Sequence, residues 1–118
     1  MNIIICGAGK VGFSISKQLS AQGHSVTVID QSSEDIKKIN DQQDVKGIVG
    51  RATLPTVLEN AGAEKTDMVI AVTRNDETNM IVCQLASSLF NVSKKIARIR
   101  TKDFLEGKWG KLFNKSNI

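Results

Sequence analysis

The sequence predicts an α/β fold, a doubly wound parallel sheet of five strands with helices on both faces. Three observations carry this. Short apolar runs alternate with stretches of helical periodicity along nearly the whole chain. The runs are near-continuously apolar, as strands become when helices cover both faces. The alternation is β, α, β, α, so the strands are parallel, and right-handed crossovers leave the doubly wound topology. At 118 residues, one domain spanning 1–118 is expected.

Asn2–Cys6 (NIIIC) is the first strand and ends at a glycine turn. Val11, Ile15 and Leu19 recur at i, i+4, i+8 and mark one face of the first helix. Gly23 and His24 punctuate, and 25–29 (SVTVI) is a β-branched second strand. Ser32 or Ser33 can cap a second helix, with Glu34 and Asp35 at the positive end of its dipole and Ile36 and Ile39 facing inward. Residues 45–49 form a weaker third strand. Thr53 is the expected cap of a third helix that has Pro55 in its first turn, buries Leu54, Val57, Leu58 and Ala61, and stops at Gly62. Residues 67–72 (DMVIAV) are the most apolar strand; Asn75 caps a long helix after it, and 95–99 (KIARI) is the fifth strand. A short helix from about 103 follows.

Composition narrows the function. No apolar run reaches the roughly 18 residues of a membrane span, and the glycine-broken start MNIIICGAGK does not read as a secretory signal. Cys6 and Cys83 are too far apart in sequence to suggest a metal cluster or a disulfide framework, which points to the reducing cytoplasm. Net charge is +4, yet residues 1–93 hold 8 Lys and Arg against 10 Asp and Glu, and the excess lies in 94–118. A generally basic nucleic-acid binder is therefore not indicated, and Trp109 has no aromatic neighbours to form a base-stacking platform.

The main chemical signal is Gly7-Ala8-Gly9-Lys10-Val11-Gly12, a G-x-G-x-x-G set between the first strand and the first helix. Gly7 makes the tight turn, Gly9 lets the backbone approach a pyrophosphate, and Gly12 lets the helix lie close to the strand. The helix N-terminus offers free N–H groups and a partial positive charge to phosphates. Asp30 ends the second strand eighteen positions after Gly12, where a carboxylate accepts hydrogen bonds from an adenosine ribose diol. The fold is thus Rossmann-like. The acid repels a 2′-phosphate and favours NAD over NADP, but NAD, NADH, ATP and ADP share the free diol. Arg98 and Arg100, two apart near the end of the fifth strand, share a face, and Arg100 is the better phosphate candidate. Lys10 can reach a terminal phosphate or stay in water.

GAGKVG, VTVID, VGRATLPTVLENAGAEKTDMVIAVTRNDETNM and LFNVSKKIARIR together resemble the N-terminal regulatory domain of TrkA-type proteins, the RCK/KTN group, over essentially the whole chain. The resemblance implies a nucleotide site built from the glycine loop, Asp30 and Gln31, with Arg51, Ala52 and Thr53 bordering the adenine and Thr73 facing the phosphates or second ribose. It also implies a regulatory subunit that senses NAD, NADH or ATP/ADP and controls a membrane-embedded potassium transporter from the cytoplasmic face. Members of the group usually continue into a sixth strand, which is not evident here, so a chain truncated at its C-terminal end is expected.

No hydride-transfer acid or base stands out, which favours binding over catalysis; a small NAD-dependent oxidoreductase is the alternative. Met80, Ile81, Val82, Leu85, Ala86, Leu89 and Phe90 cover more than one stripe of their helix, and the surplus suggests a homodimer or higher homo-oligomer.

Overall fold

The computed structural model describes residues 1–104. The elements in order are β1 (Asn2–Cys6), α1 (Lys10–Ala21), β2 (Ser25–Asp30), α2 (Ser33–Gln42), β3 (Lys46–Val49), α3 (Pro55–Asn60), β4 (Met68–Ala71), α4 (Asp76–Phe90) and β5 (Lys94–Ala97), with 3₁₀ turns at Ala63–Lys65 and Lys102–Phe104. All pairings are parallel and the sheet order is β3-β2-β1-β4-β5. The strand order reverses between β1 and β4, so the two loops leaving these strands diverge and open a crevice at the carboxyl edge. This is the Rossmann-like, doubly wound arrangement that the alternating pattern predicts.

The pleat of β1 builds both cores. Ile3 and Ile5 face one helical layer with Ile36 and Ile39 of α2, while Phe13, Ile15 and Leu19 of α1 pack alongside. Ile4 and Cys6 face the other layer, with Leu58 of α3 and Val82, Cys83 and Ala86 of α4. Each fully buried isoleucine contributes about 1.5–3 kcal/mol of transfer free energy. The two layers therefore clamp β1 and hold its exit loop in place. Ser32 caps α2 by accepting from the Asp35 N–H at 3.2 Å, and Asn75 caps α4 by accepting from the Thr78 N–H at 2.7 Å.

Three expectations need correction. Val11 is exposed; α1 turns Gly12 and Ser16 toward the sheet instead. The rotation is stabilised because Gly12 lies against the Gly7 carbonyl and the Ser16 hydroxyl finds Gln43 Oε1 at 2.6 Å. Thr53 is not the cap of α3. Pro55 occupies its first turn and holds the preceding Leu54 extended, so Leu54 becomes the cap residue and is exposed. Finally, β5 stops at Ala97, opposite the end of β4 at Ala71, which leaves Arg98 and Arg100 beyond the strand. Only the Arg98 N–H still reaches the ladder, donating to the Ala71 carbonyl at 2.9 Å. Trp109, the basic residues after 104 and the segment for which no sixth strand is expected fall outside the described residues.

On the outer side of α4, Ile81 and Leu89 are about half exposed while Leu85 packs on the core. No helix among the described residues is long and apolar enough to cross a membrane.

Candidate functional site

The loop from β1 to α1 is shaped by close contacts. Gly7 sits at φ +119°, and a Cβ there would lie 2.8 Å from the Val72 carbonyl oxygen. A Cβ on Gly12 would fall on the Gly7 carbonyl. Gly9 differs: its φ is −73° and a Cβ would meet nothing within 4 Å. The space in front of Gly9 is therefore open to a ligand rather than filled by the protein.

Helix α1 begins there without a side-chain cap and without an acidic residue in its first turn. The other two long helices, α2 and α4, have both. The first N–H groups of α1, at Lys10, Val11 and Gly12, have no intrahelical acceptor and carry the positive end of the dipole.

A cleft of about 560 Å³ lies against this helix start, lined by Gly7, Gly9, Lys10, Val11, Asp30, Asp35, Val72, Thr73, Arg74, Arg98 and Arg100. Four cations face two carboxylates in it, so the cleft favours an anion. A smaller hollow of about 190 Å³ shares Asp30, Thr73 and Arg74 with it and adds Gln31, Gly50 and Ala52. Sharing these residues, the two hollows form one groove across the carboxyl ends of β2, β1 and β4.

Asp30 stands where the two hollows meet. Its Oδ2 accepts from the Ala8 N–H at 2.7 Å and its Oδ1 from the Ser32 N–H at 2.8 Å. The carboxylate thus ties the glycine loop to the start of α2. Each oxygen keeps a lone pair for a further donor, such as a sugar hydroxyl. Of the other residues singled out by sequence, Ala8 and Gly12 stand behind the wall and shape it. Arg51 is exposed and Thr53 half-buried; neither lines the two hollows.

Thr73 lines both hollows, but its hydroxyl hydrogen is directed inward, to Asn79 Oδ1 at 2.6 Å. Asn79 is fully buried. Its Oδ1 also accepts from the Thr73 N–H at 2.9 Å, and its Nδ2 donates to the Thr73 carbonyl at 3.1 Å and the Arg98 carbonyl at 2.8 Å. Asp76, nearly buried, accepts from the N–H groups of Arg100 at 3.0 Å and Thr101 at 2.8 Å. Hydrogen bonding from Thr101 first, then from the Arg100 amide, holds the Asp76 carboxyl below the ordinary carboxylate range.

Sequence reasoning missed Arg74, Asp35 and the part played by Asn79. Asn79 had a signal: a polar residue three positions after Asp76 and four before Cys83, on the helix stripe that turns inward. Buried amides need partners, so such a residue marks a network. Cys6 and Cys83 are buried free thiols; burial raises both, Cys83 to about 12, and leaves them unreactive core residues.

A doubly wound sheet with an open, cation-lined groove at its switch point defines a nucleotide-type Rossmann domain. Residues 3–114 match the TrkA-N domain, and the chain belongs to that family. It is 44% identical over 118 residues to the Trk system potassium uptake protein TrkA of Azorhizobium caulinodans, covering 100% of this chain and 26% of that protein. The chain thus spans about a quarter of the length of that relative. Two solved structures share the fold. The Kef C-terminal domain of Shewanella denitrificans in its AMP-bound form has a TM-score of 0.75 at 22% identity, over 98% of this chain and 77% of that one. The GsuK channel bound to NAD has a TM-score of 0.74 at 18% identity, over 98% of this chain and 20% of that one.

Proposed function

We propose that this chain is the adenine-nucleotide-sensing part of a Trk-type potassium transport system. Its ligand is NAD or NADH, or alternatively ATP or ADP. The observation that carries the reading is the open space before Gly9, bordered by the uncapped start of α1, Asp30 and four cations. Bare amides and cations suit a diphosphate, and the Asp30 carboxylate suits the ribose diol beside it. Gly7, Gly9, Lys10, Val11, Gly12 and Ala8 form the phosphate end. Asp30 and Gln31 take the ribose, and Ala52 borders the adenine, with its neighbours Arg51 and Thr53 outside the two hollows. Thr73 forms the floor, and Arg100 faces the phosphates. The names printed for similar proteins support this: a potassium uptake protein, a channel bound to NAD and a domain bound to AMP.

The chain acts by binding rather than catalysis, in the cytoplasm, against a membrane-embedded transporter subunit. A ligand regulates such a partner only through differential affinity for two arrangements, typically about 1–3 kcal/mol. The exposed Ile81 and Leu89 on α4 support assembly as a homodimer or higher homo-oligomer.

Thermal melting against NAD, NADH, ATP and ADP tests the ligand. At a hundredfold excess over Kd, binding adds about 2.7 kcal/mol, or a rise of about 10 °C for a chain of this size. No rise with any of the four at millimolar concentration refutes nucleotide binding. Co-purification with a Trk-type membrane subunit, with and without the bound nucleotide, tests the partner; equal recovery in both refutes nucleotide control.

A further inference from the structure

The segment that follows β5 presents Arg98 and Arg100 to the cleft, yet it lies outside the sheet and makes one ladder hydrogen bond. What holds it is α4. Asn79 Nδ2 takes the Arg98 carbonyl, and the two oxygens of Asp76 take the amides of Arg100 and Thr101. Both side chains come from the first turns of one helix, and both are buried. Asn79 is also bonded four ways, so it cannot swing away without leaving Thr73 and Arg98 groups unpaired. The arginine backbone is therefore registered against the cleft floor at Thr73 by the same amide that holds Thr73.

The geometry points to Asp76 and Asn79 as positioning residues that set Arg98 and Arg100 at the phosphate end of the groove, and so determine how strongly it prefers a ligand with more phosphate charge. This rests on the nucleotide reading above and assigns its charge selectivity to a clamp that does not itself touch the ligand. A guanidinium on a loose segment loses its fixed direction, and the charge-assisted hydrogen bonds it makes weaken with it.

The test is the affinity ratio between ATP and AMP, measured by titration calorimetry on the chain as it stands, on Asp76→Asn and on the double variant Arg98→Gln/Arg100→Gln. The unmodified chain binds ATP more tightly than AMP by about tenfold or more, the size of one good charged contact. In both variants the ratio falls to within about threefold of unity on the same scale. A general loss of packing would lower both affinities together and leave the ratio alone. A ratio kept in folded Asp76→Asn, or kept in the arginine pair, overturns the positioning role while nucleotide binding stands. Equal ATP and AMP binding by the unmodified chain does the same. Failure to bind ATP and AMP while NAD or NADH binds overturns the charge-selectivity role; failure to bind any of them refutes the nucleotide reading itself. Amide hydrogen exchange on the unmodified chain gives a measure independent of any variant's folding. The Arg100 and Thr101 amides exchange slowly, and more slowly with ATP than with AMP; fast exchange of both amides overturns the clamp.

Discussion

Alanine at Gly9 and alanine at Gly12 should have opposite consequences, although both residues belong to one motif. At Gly12 the new Cβ falls on the Gly7 carbonyl. Gly7 has little freedom to retreat, because it sits at φ +119° and a Cβ position on it would already lie 2.8 Å from the Val72 carbonyl oxygen. Relief requires opening the loop. That breaks the Gly7 N–H bond to Ile29 O and the Phe13 N–H bond to Gly9 O, each 2.8 Å, and the 2.7 Å bond from Ala8 to the Asp30 carboxylate. Two neutral bonds and one to a charged acceptor sum to roughly 3–5 kcal/mol. The melting temperature should fall by about 10–20 °C. At Gly9 the added methyl meets nothing, and φ is −73°. The gain from a stiffer unfolded chain, about 0.4–1 kcal/mol, offsets the loss of a favourable cap residue. The fold should therefore melt within about 4 °C of the original. Ligand binding should disappear, since the methyl occupies the space assigned to the diphosphate. Scanning calorimetry without ligand, followed by titration with NAD and ATP, reads both effects. Wild-type affinity in Gly9→Ala, or an unshifted melt in Gly12→Ala, would refute the loop reasoning.

Three other outcomes follow from the same contacts. Asn79→Ala leaves the Thr73 N–H, the Thr73 carbonyl and the Arg98 carbonyl unpaired. Urea unfolding should show a loss of about 3–5 kcal/mol, and a loss below about 1 kcal/mol would show that water or another group replaces the amide. The Asp76 carboxyl is held below its ordinary value of 3.8, so its stabilisation is complete above that value and is lost as pH falls through the depressed folded pKa. Melting curves of the original chain and Asp76→Asn should thus converge as pH drops below 3.8; curves that stay parallel contradict the assignment. Glutamate at Ile81 and Leu89 together should leave the melting temperature nearly unchanged, because both residues are about half exposed, and should shift sedimentation toward the monomer. Unchanged sedimentation removes α4 from the assembly surface.

Much of this molecule is legible in the sequence because its local signals agree. The β1 run, the glycine spacing, the Ser32 and Asn75 caps and the Ile36–Ile39 stripe are each set by neighbours within a turn or two. What escaped depends on contacts distant in sequence. The rotation of α1 is decided by Gln43, twenty-seven positions from Ser16. The end of β5 is decided by where β4 stops, through the Ala71–Ala97 register. The cap of α3 is the exception and is local: Pro55 holds Leu54 extended, which puts the cap one residue after the Thr53 hydroxyl that the sequence suggests. The candidate site follows the same division. Gly7, Gly9 and Asp30 are visible as a motif, whereas Arg74 and Asn79 acquire meaning only when β4, α4 and the segment after β5 come together.

These two kinds of residue also do different physical work. A groove made from loops would ordinarily lose affinity to the entropy of ordering them around a ligand, about 0.5–1.5 kcal/mol for each immobilised side chain. Here the loops are fastened before any ligand arrives, and at three points by a side chain gripping backbone. Asp30 joins the glycine loop to the start of α2, Asn79 joins the floor to the arginine segment, and Asp76 secures that segment to α4. Side chains that face the groove can then be replaced without loosening it. Ligand choice can change at positions such as Lys10 or Arg74, while the fastening residues behind them stay fixed by their hydrogen bonds. On the reading proposed above, a nucleotide that fits this rigid edge keeps its binding energy for favouring one arrangement of the assembly instead of ordering the site.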